Sequence, residues 1–401
     1  MSVTLPIITY YYKNNMKNTL ALLSEILYTD SGNVTENKEA IFMIQKNPTM
    51  MTYINEEPEI FNTILKGYPE NVPSITGTNW LILATGSSIN AAFSAKYYIE
   101  KMTNIHISIE EPFKFDYYEK LRPEIDVIIG ISQSGESTST INALQKISQE
   151  HPQIQRIGLT GKTTSEIATV VDTVIDIENG EERVGYVTKG FSATILKLML
   201  MGLKAARNVN LLDASQEESE LQEFRKAIAD LPAVIEKTER FFDRWAVQLV
   251  QASRFTSLCC GSAIGTALEM QTKFCETVRV PSQGMDIEVF MHGPYLEVNP
   301  NHQLFFIETN SPVNDRLLRL RDYEQQHVKN LYTLTLNKSN DDRTLGLDLE
   351  IDEYKAPLFM IVPFQLLAHH IAEALGNNLP KRIYTDFGVA MNSKTKPGDY
   401  A

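Results

Sequence analysis

The chain has 401 residues, 43% of them hydrophobic and 22% charged, which is globular usage with apolar material for two or three domains. Fifty acidic against 37 basic side chains leave a formal charge of −13. Such a surface repels phosphate backbones and anionic lipid, so neither nucleic acid nor a membrane is an expected partner, and an anionic ligand needs a local device to hold it. The longest apolar stretch, Pro357 to Ala368, is too short to cross a bilayer. No basic region precedes the apolar run Leu5–Tyr12, as a secretory signal would require. Cys259, Cys260 and Cys275 offer neither a disulfide framework nor a CxxC metal spacing, and a reducing cytoplasm is the expected setting.

Residues 1–15 read as an appendage ahead of Met16, and residues 17–75 as helical, with Leu20, Leu23 and Leu27 near helical spacing. Trp80–Thr85 and Asp126–Ser132 are short apolar runs without alternation, as strands buried on both faces require. Each ends in a polar turn and passes into a helix, Ile89–Met102 in the first case and about Thr138–Gln149 in the second. Arg156–Thr160 and Thr173–Ile177 read as further strands. The same order then repeats: a helix at about Glu217–Asp243, a strand Thr256–Cys260, a helix Thr266–Val278 and strands Gln303–Glu308 and Leu331–Leu336. Last comes an apolar run Leu358–Val362, leading into a helix Gln365–Leu375. Alternating strands and helices predict parallel sheets with helices on both faces. The repeat predicts two such α/β units, divided as residues 1–60 (a helical N-terminal extension), 61–212, 213–375 and an irregular basic tail, 376–401.

The sharpest local signal is a pair of strand-end turns, Thr85-Gly86-Ser87-Ser88 and Ser132-Gln133-Ser134-Gly135-Glu136-Ser137. Ligands of open parallel sheets bind beyond the carboxyl ends of the strands. Each turn supplies hydroxyls, a glycine and the bare N–H groups of a helix start, a neutral cup for a phosphate monoester that needs no Lys or Arg. A single such turn would be adequately explained by helix capping; two on neighbouring strands point to phosphate. No GxxxxGK sequence is present, so a nucleoside triphosphate is not expected.

Glu269, Lys273 and Glu276 fall at i, i+4 and i+7 on one helix face. Glu269 and Lys273 read as an ordinary helix ion pair. Glu276 stands near the helix C-terminus, where the macrodipole disfavours negative charge, a setting that suits a general base. Sixteen residues on, His292 sits in a turn made rigid by Gly293 and Pro294. A Glu and a His at one pocket would supply the two proton-transfer groups that aldose–ketose chemistry needs. No HExxH or clustered His/Asp set occurs, so neither a metal nor another cofactor is expected.

The segments Ala84-Thr85-Gly86-Ser87-Ser88, Ile131 to Ser137 (ISQSGES), Ala267-Leu268-Glu269 and His292-Gly293-Pro294 resemble the sugar isomerase (SIS) domain family. The likeness runs over about residues 60–375. It is greatest to the isomerase half of glucosamine-6-phosphate synthase and to fructosamine-6-phosphate deglycases. The resemblance implies two flavodoxin-like three-layer α/β/α domains and a homodimer or higher homo-oligomer, with a phosphosugar in the first domain's cup. It puts substrate-binding roles on Gly86, Ser87, Ser88, Ser132, Gln133, Ser134 and Ser137. The catalytic glutamate falls on Glu276, and the ring-opening histidine, often contributed by the neighbouring subunit, on His292. A C-terminal lysine falls on Lys394, with Lys381 as the alternative. The segment Val184 to Lys189 resembles the stretch that closes over the sugar. Cys275 replaces a lysine, and residues 1–60 are too few for a glutaminase domain, so amide transfer from glutamine is not expected. The expected activity is that of a phosphosugar isomerase or deglycase acting on a 6-phosphorylated ketosamine. An amino-sugar-phosphate isomerase or deaminase is the alternative enzyme, and a non-catalytic sugar-phosphate sensor the alternative of another class.

Overall fold

The structure, a computed structural model, describes residues 49–183 and 185–395; the expectations for residues 1–48, Val184 and the last six residues fall outside that range. Helix α1 (Met50–Lys66) opens on Thr49, whose hydroxyl accepts from the Thr52 N–H in a reciprocal capping box. The first sheet follows as β1 (Asn79–Leu83), α2 (Ser87–Met102), β2 (His106–Glu110), α3 (Pro112–Tyr118), β3 (Val127–Ile131), α4 (Thr138–Glu150), β4 (Gln155–Thr160) and β5 (Thr173–Asp176). Helices α5 (Lys189–Asn208) and α6 (Ala214–Val250) lead to the second: β6 (Phe255–Cys259), α7 (Ile264–Lys273), β7 (Ser282–Asp286), α8 (Ile287–Met291), β8 (Gln303–Glu308), α9 (Asn314–Glu324), β9 (Asn330–Thr335), β10 (Thr344–Gly346) and α10 (Pro357–Ala374).

Both sheets have five parallel strands, ordered β2-β1-β3-β4-β5 and β7-β6-β8-β9-β10. The two orders are the same order, so the chain is two flavodoxin-like α/β units of one topology. Helices α1, α2, α5, α6, α7 and α10 lie among residues of one continuous core that includes Trp80 of the first sheet and Phe255 of the second. Smaller clusters cover the outer faces: Leu81, Phe115, Ile128 and Leu144 in the first unit, and Leu258, Phe290, Phe306 and Leu317 in the second. Burying each such Leu, Ile or Phe contributes about 1.5–3 kcal/mol relative to leaving it in water.

Several elements differ from the sequence expectation, each for a local reason. The run Leu358–Val362 is no separate segment; it is the first half of α10, buried on nearly all sides, so it carries no amphipathic period. The expected helix Thr266–Val278 is α7 followed by a π-helical turn, Phe274–Val278, which ends at Arg279 in the left-handed region. Strands β2, β7 and β10 were not expected. They are short, or polar and partly exposed, and β2, β7 and β10 are all sheet edges.

Candidate active site

Strands β1 and β3 are neighbours in register, Trp80 opposite Val127, so their following turns share the carboxyl edge of the sheet. Gly86 precedes α2 at φ +58, with open space where a Cβ would stand; a left-handed residue lets the chain turn from strand to helix there. Ser88 is half-buried. In the second turn, the Ser132 hydroxyl accepts from the Ser137 N–H at 3.3 Å and the Ser137 hydroxyl accepts from Thr140 Oγ1 at 3.2 Å. Neither hydroxyl spends its own proton in these bonds. The Gln133 carbonyl accepts from the Gly161 N–H at 3.0 Å, while its side chain packs toward Gly190 at the start of α5.

Ser87 is turned elsewhere: its hydroxyl donates to Glu269 Oε1 at 2.9 Å, while Asn90 Nδ2 donates to Glu269 Oε2 at 2.8 Å. The contact is possible because α2 and α7 cross closely; a Cβ on Gly265 would lie 2.5 Å from the Asn90 carbonyl and 2.6 Å from the Ser94 nitrogen. Lys273 Nζ stands 3.4 Å from Glu269 Oε1 and 2.6 Å from Glu276 Oε2. An unbroken run of polar contacts thus leads from the first turn, through Glu269 and Lys273, to Glu276. Glu269 and Lys273 are fully buried, whereas the Glu276 side chain is 40% exposed. Burial pushes the Glu269 carboxyl up to about 7 against the pull of Lys273 and Asn90. Burial alone would lower the Lys273 amine, but Glu276 and Glu269 outweigh it and the net shift is upward. Glu182 joins the group: it is half-buried, accepts from the Thr188 and Gly190 N–H groups at 2.6 and 3.0 Å, and its charge acts on Lys273.

The tail crosses the second turn. Lys394 forms an antiparallel bridge with Ser137, Thr138 N–H donates to the Ser393 carbonyl, and Thr395 N–H to the Glu136 carbonyl. Lys394 Nζ donates to Ser134 Oγ at 2.8 Å. Burial lowers the Lys394 amine and Arg382 lowers it further, with Glu136 opposing. The serine turns alone contain no cation, but the tail lays one on them. Lys381, the alternative lysine, is exposed, and its backbone N–H donates to Asn378.

His292 stands apart. It follows α8, which packs on β6, β7 and the turn after it. The ring is exposed, and its Nδ1 lies 2.7 Å from the Glu288 carbonyl. A carbonyl can only accept, so Nδ1 carries the proton and Nε2 faces outward as a proton acceptor. Among the described residues, no hydrogen bond joins His292 to Glu276 or to either serine turn.

The sequence reading missed Asn90 and Glu182 and took Glu269–Lys273 for an ordinary helix ion pair, whereas both side chains are fully buried. The available signal was Asn90, one turn after Ser87 and beside Ala91, Ala92 and Ala95 on the buried side of the helix. Among the described residues, no group of three or more His, Cys, Asp or Glu is arranged to hold a metal ion, and no helix is long and apolar enough to cross a membrane.

This arrangement has recognised counterparts. Residues 78–204, which hold the first sheet and its helices, match the SIS domain model. It is 29% identical over 359 residues to the glutamine–fructose-6-phosphate aminotransferase (isomerizing) of Chlamydia muridarum, an alignment covering 83% of this chain and 56% of that one. The chain thus spans about half the length of the curated relatives it matches. Its fold is that of the C-terminal domain of glucosamine-fructose-6-phosphate aminotransferase from Francisella tularensis, with a TM-score of 0.76 and 22% identity over 82% of this chain and 96% of that one. The glucosamine-6-phosphate deaminase of Thermotoga maritima is also similar in fold, with a TM-score of 0.67 and 20% identity over 82% of this chain and 93% of that one.

Proposed function

We propose that the chain is a phosphosugar isomerase or deglycase that acts on a 6-phosphorylated ketosamine. The sugar's phosphate lies between the two serine turns and takes hydrogen bonds from Ser88, Ser132, Ser134 and Ser137, with Gly86 and Gln133 lining the cup. Glu276 removes a proton from C1 of the open-chain ketosamine and returns it to C2, while the amine N–H proton passes to O2, which converts the ketone with its C1 amine into a C1 imine beside a C2 hydroxyl. Water adds to that imine and the amine leaves, giving glucose 6-phosphate. His292, presented outward, opens the ring in the active site of a second copy by taking the hydroxyl proton at Nε2. Lys394 closes the cup from the tail, and Ser87 holds Glu269 in place beside Lys273.

The observation that carries this reading is the run from Ser87 through Glu269 and Lys273 to Glu276, which ties a partly exposed carboxylate to the edge of a hydroxyl-lined turn. Phosphate binding can hold the reacting carbons against that carboxylate, which is where much of the rate enhancement would arise. The test is to incubate the protein with a panel of 6-phosphorylated fructosamines and amino sugars and to assay free amine and glucose 6-phosphate. Release of both from a fructosamine 6-phosphate is the expected result. Ammonia from glucosamine 6-phosphate would move the assignment to an amino-sugar deaminase, and binding with no product from any sugar would make the chain a sensor.

A further inference from the structure

Helix α1 lies outside the matched SIS residues, yet it delivers a carboxyl into the interior between α5 and α10. Glu57 has no exposed surface. Its Oε1 accepts from Ser192 Oγ at 2.8 Å, and its Oε2 has no hydrogen-bond partner. Across from it stands Gln365, also buried, whose Nε2 donates to the Thr188 carbonyl at 3.2 Å and to Ser192 Oγ at 3.3 Å. The Gln365 Oε1 likewise has no partner. Because the Thr188 carbonyl can only accept, it fixes which end of the amide faces it and turns Oε1 away. Glu57 and Gln365 meet at the same Ser192 hydroxyl, so the carboxyl sits in a dry space with one oxygen unpartnered. A buried carboxylate left in that state is costly, and a proton removes the cost.

We infer that Glu57 is held as the neutral acid, at the end of a hydrogen-bonded chain through Ser192 and Gln365 that positions Thr188 and the start of α5. The surroundings favour that form. Lys189, the nearest cation on α5, is turned to Glu56 at 2.5 Å and over the Tyr53 ring at 4.9 Å. The segment before α5 contributes Glu182, whose charge disfavours a second carboxylate, and α10 presents the uncharged Gln365. Burial, with Glu182 adding to it, raises the Glu57 carboxyl to about 8, against the opposing hydrogen bonds of Ser192 and Gln365. The consequence reaches the site: Thr188 and Gly190 donate to Glu182, whose charge acts on Lys273. Glu57 is therefore a positioning residue for the catalytic cluster. That last step rests on the proposed function, whereas the proton itself does not.

The test compares the full chain with its Glu57→Gln variant, which keeps the acceptor for Ser192 without a titrating group. The folded wild type retains the Glu57 proton while the unfolded chain releases it, so this contribution to stability is full below the ordinary carboxylate value of 4.5 and is lost as pH climbs to about 8. The thermal midpoint of Glu57→Gln should rise relative to wild type across that interval and level off above it. The wild-type infrared spectrum near neutrality should contain a protonated-carboxyl carbonyl band that the variant lacks. A constant midpoint gap, or identical bands, overturns the inference. Above pH 8 the affinity of wild type for hexose 6-phosphate should fall about fivefold or more relative to the variant, the loss expected for one net hydrogen bond; parallel falls overturn the link from Glu57 to the site. Melting and infrared need no sugar, so their failure removes the proton alone. Failure of hexose 6-phosphate to bind wild type at neutral pH removes the functional reading and leaves the proton standing.

Discussion

The two units repeat one strand order, and at the turn after the leading central strand they even repeat a backbone. Gly86 and Gly261 have φ of +58 and +56, each with open space at the Cβ position. What differs is where the hydroxyls point. In the second unit Ser262 is buried and donates to the Glu353 carbonyl at 2.9 Å. Thr309 and Ser311, in the turn after β8, give their hydrogen bonds to the Glu353 carboxylate. The second cup is filled by the protein's own anion, whereas in the first neither Ser132 nor Ser137 spends its own proton in its bond. The units therefore differ in which hydroxyls are committed: Ser262, Thr309 and Ser311 in the second, but in the first Ser87, to the Glu269 carboxylate, and not Ser132 or Ser137. The second unit contributes instead through α7, which carries Glu269, Lys273 and Glu276 to the first.

That division of labour can be broken from either side. Glu276→Gln should cost the most, about 10²–10⁴-fold in turnover, as expected for loss of a general base. Hexose 6-phosphate affinity should hardly change, and kinetics beside calorimetry on the same variant separate the two effects. Glu269→Ala leaves buried Lys273 with Glu276 as its remaining close carboxylate. It should destabilise the fold by about 3–5 kcal/mol, as removal of one partner of a buried pair does, read as a lower denaturation midpoint in urea. Ser262→Ala should cost only about 1 kcal/mol of stability and leave hexose 6-phosphate affinity unaltered. A weakened affinity there would mean that the second unit also binds ligand.

Strands β1, β3 and β8 were legible because residues buried on both faces form unbroken apolar runs, such as VIIGI and QLFFIE. Strand β7, with the sequence SQGMD, was not, because an edge strand needs no such run. Helix α5 was hidden for the opposite reason: Ile195–Leu203 is buried on every side and shows no helical period. The serine turns were legible because they end legible strands. The Ser87–Glu269 contact was not, since it joins residues 182 apart and exists only where α2 crosses α7. Burial of Lys273 was equally invisible, since an i, i+4 Glu–Lys pair reads the same on a surface as in a core. The placement of Lys394 came from the resemblance alone; nothing in the composition of the tail marks that lysine from its neighbours.

In the proposed function the first unit's turns, and not their second-unit counterparts, grip a sugar phosphate through uncommitted hydroxyls. Calorimetric titration of hexose 6-phosphate into wild type and into Ser88→Ala combined with Ser132→Ala tests it directly. Each lost hydrogen bond to a charged group is worth about 1.5–3 kcal/mol, so the double variant should bind roughly 10²–10⁴-fold more weakly, while the Ser137 N–H that loses its acceptor costs about 1–3 kcal/mol of stability. Equal affinity in the two proteins would contradict the account.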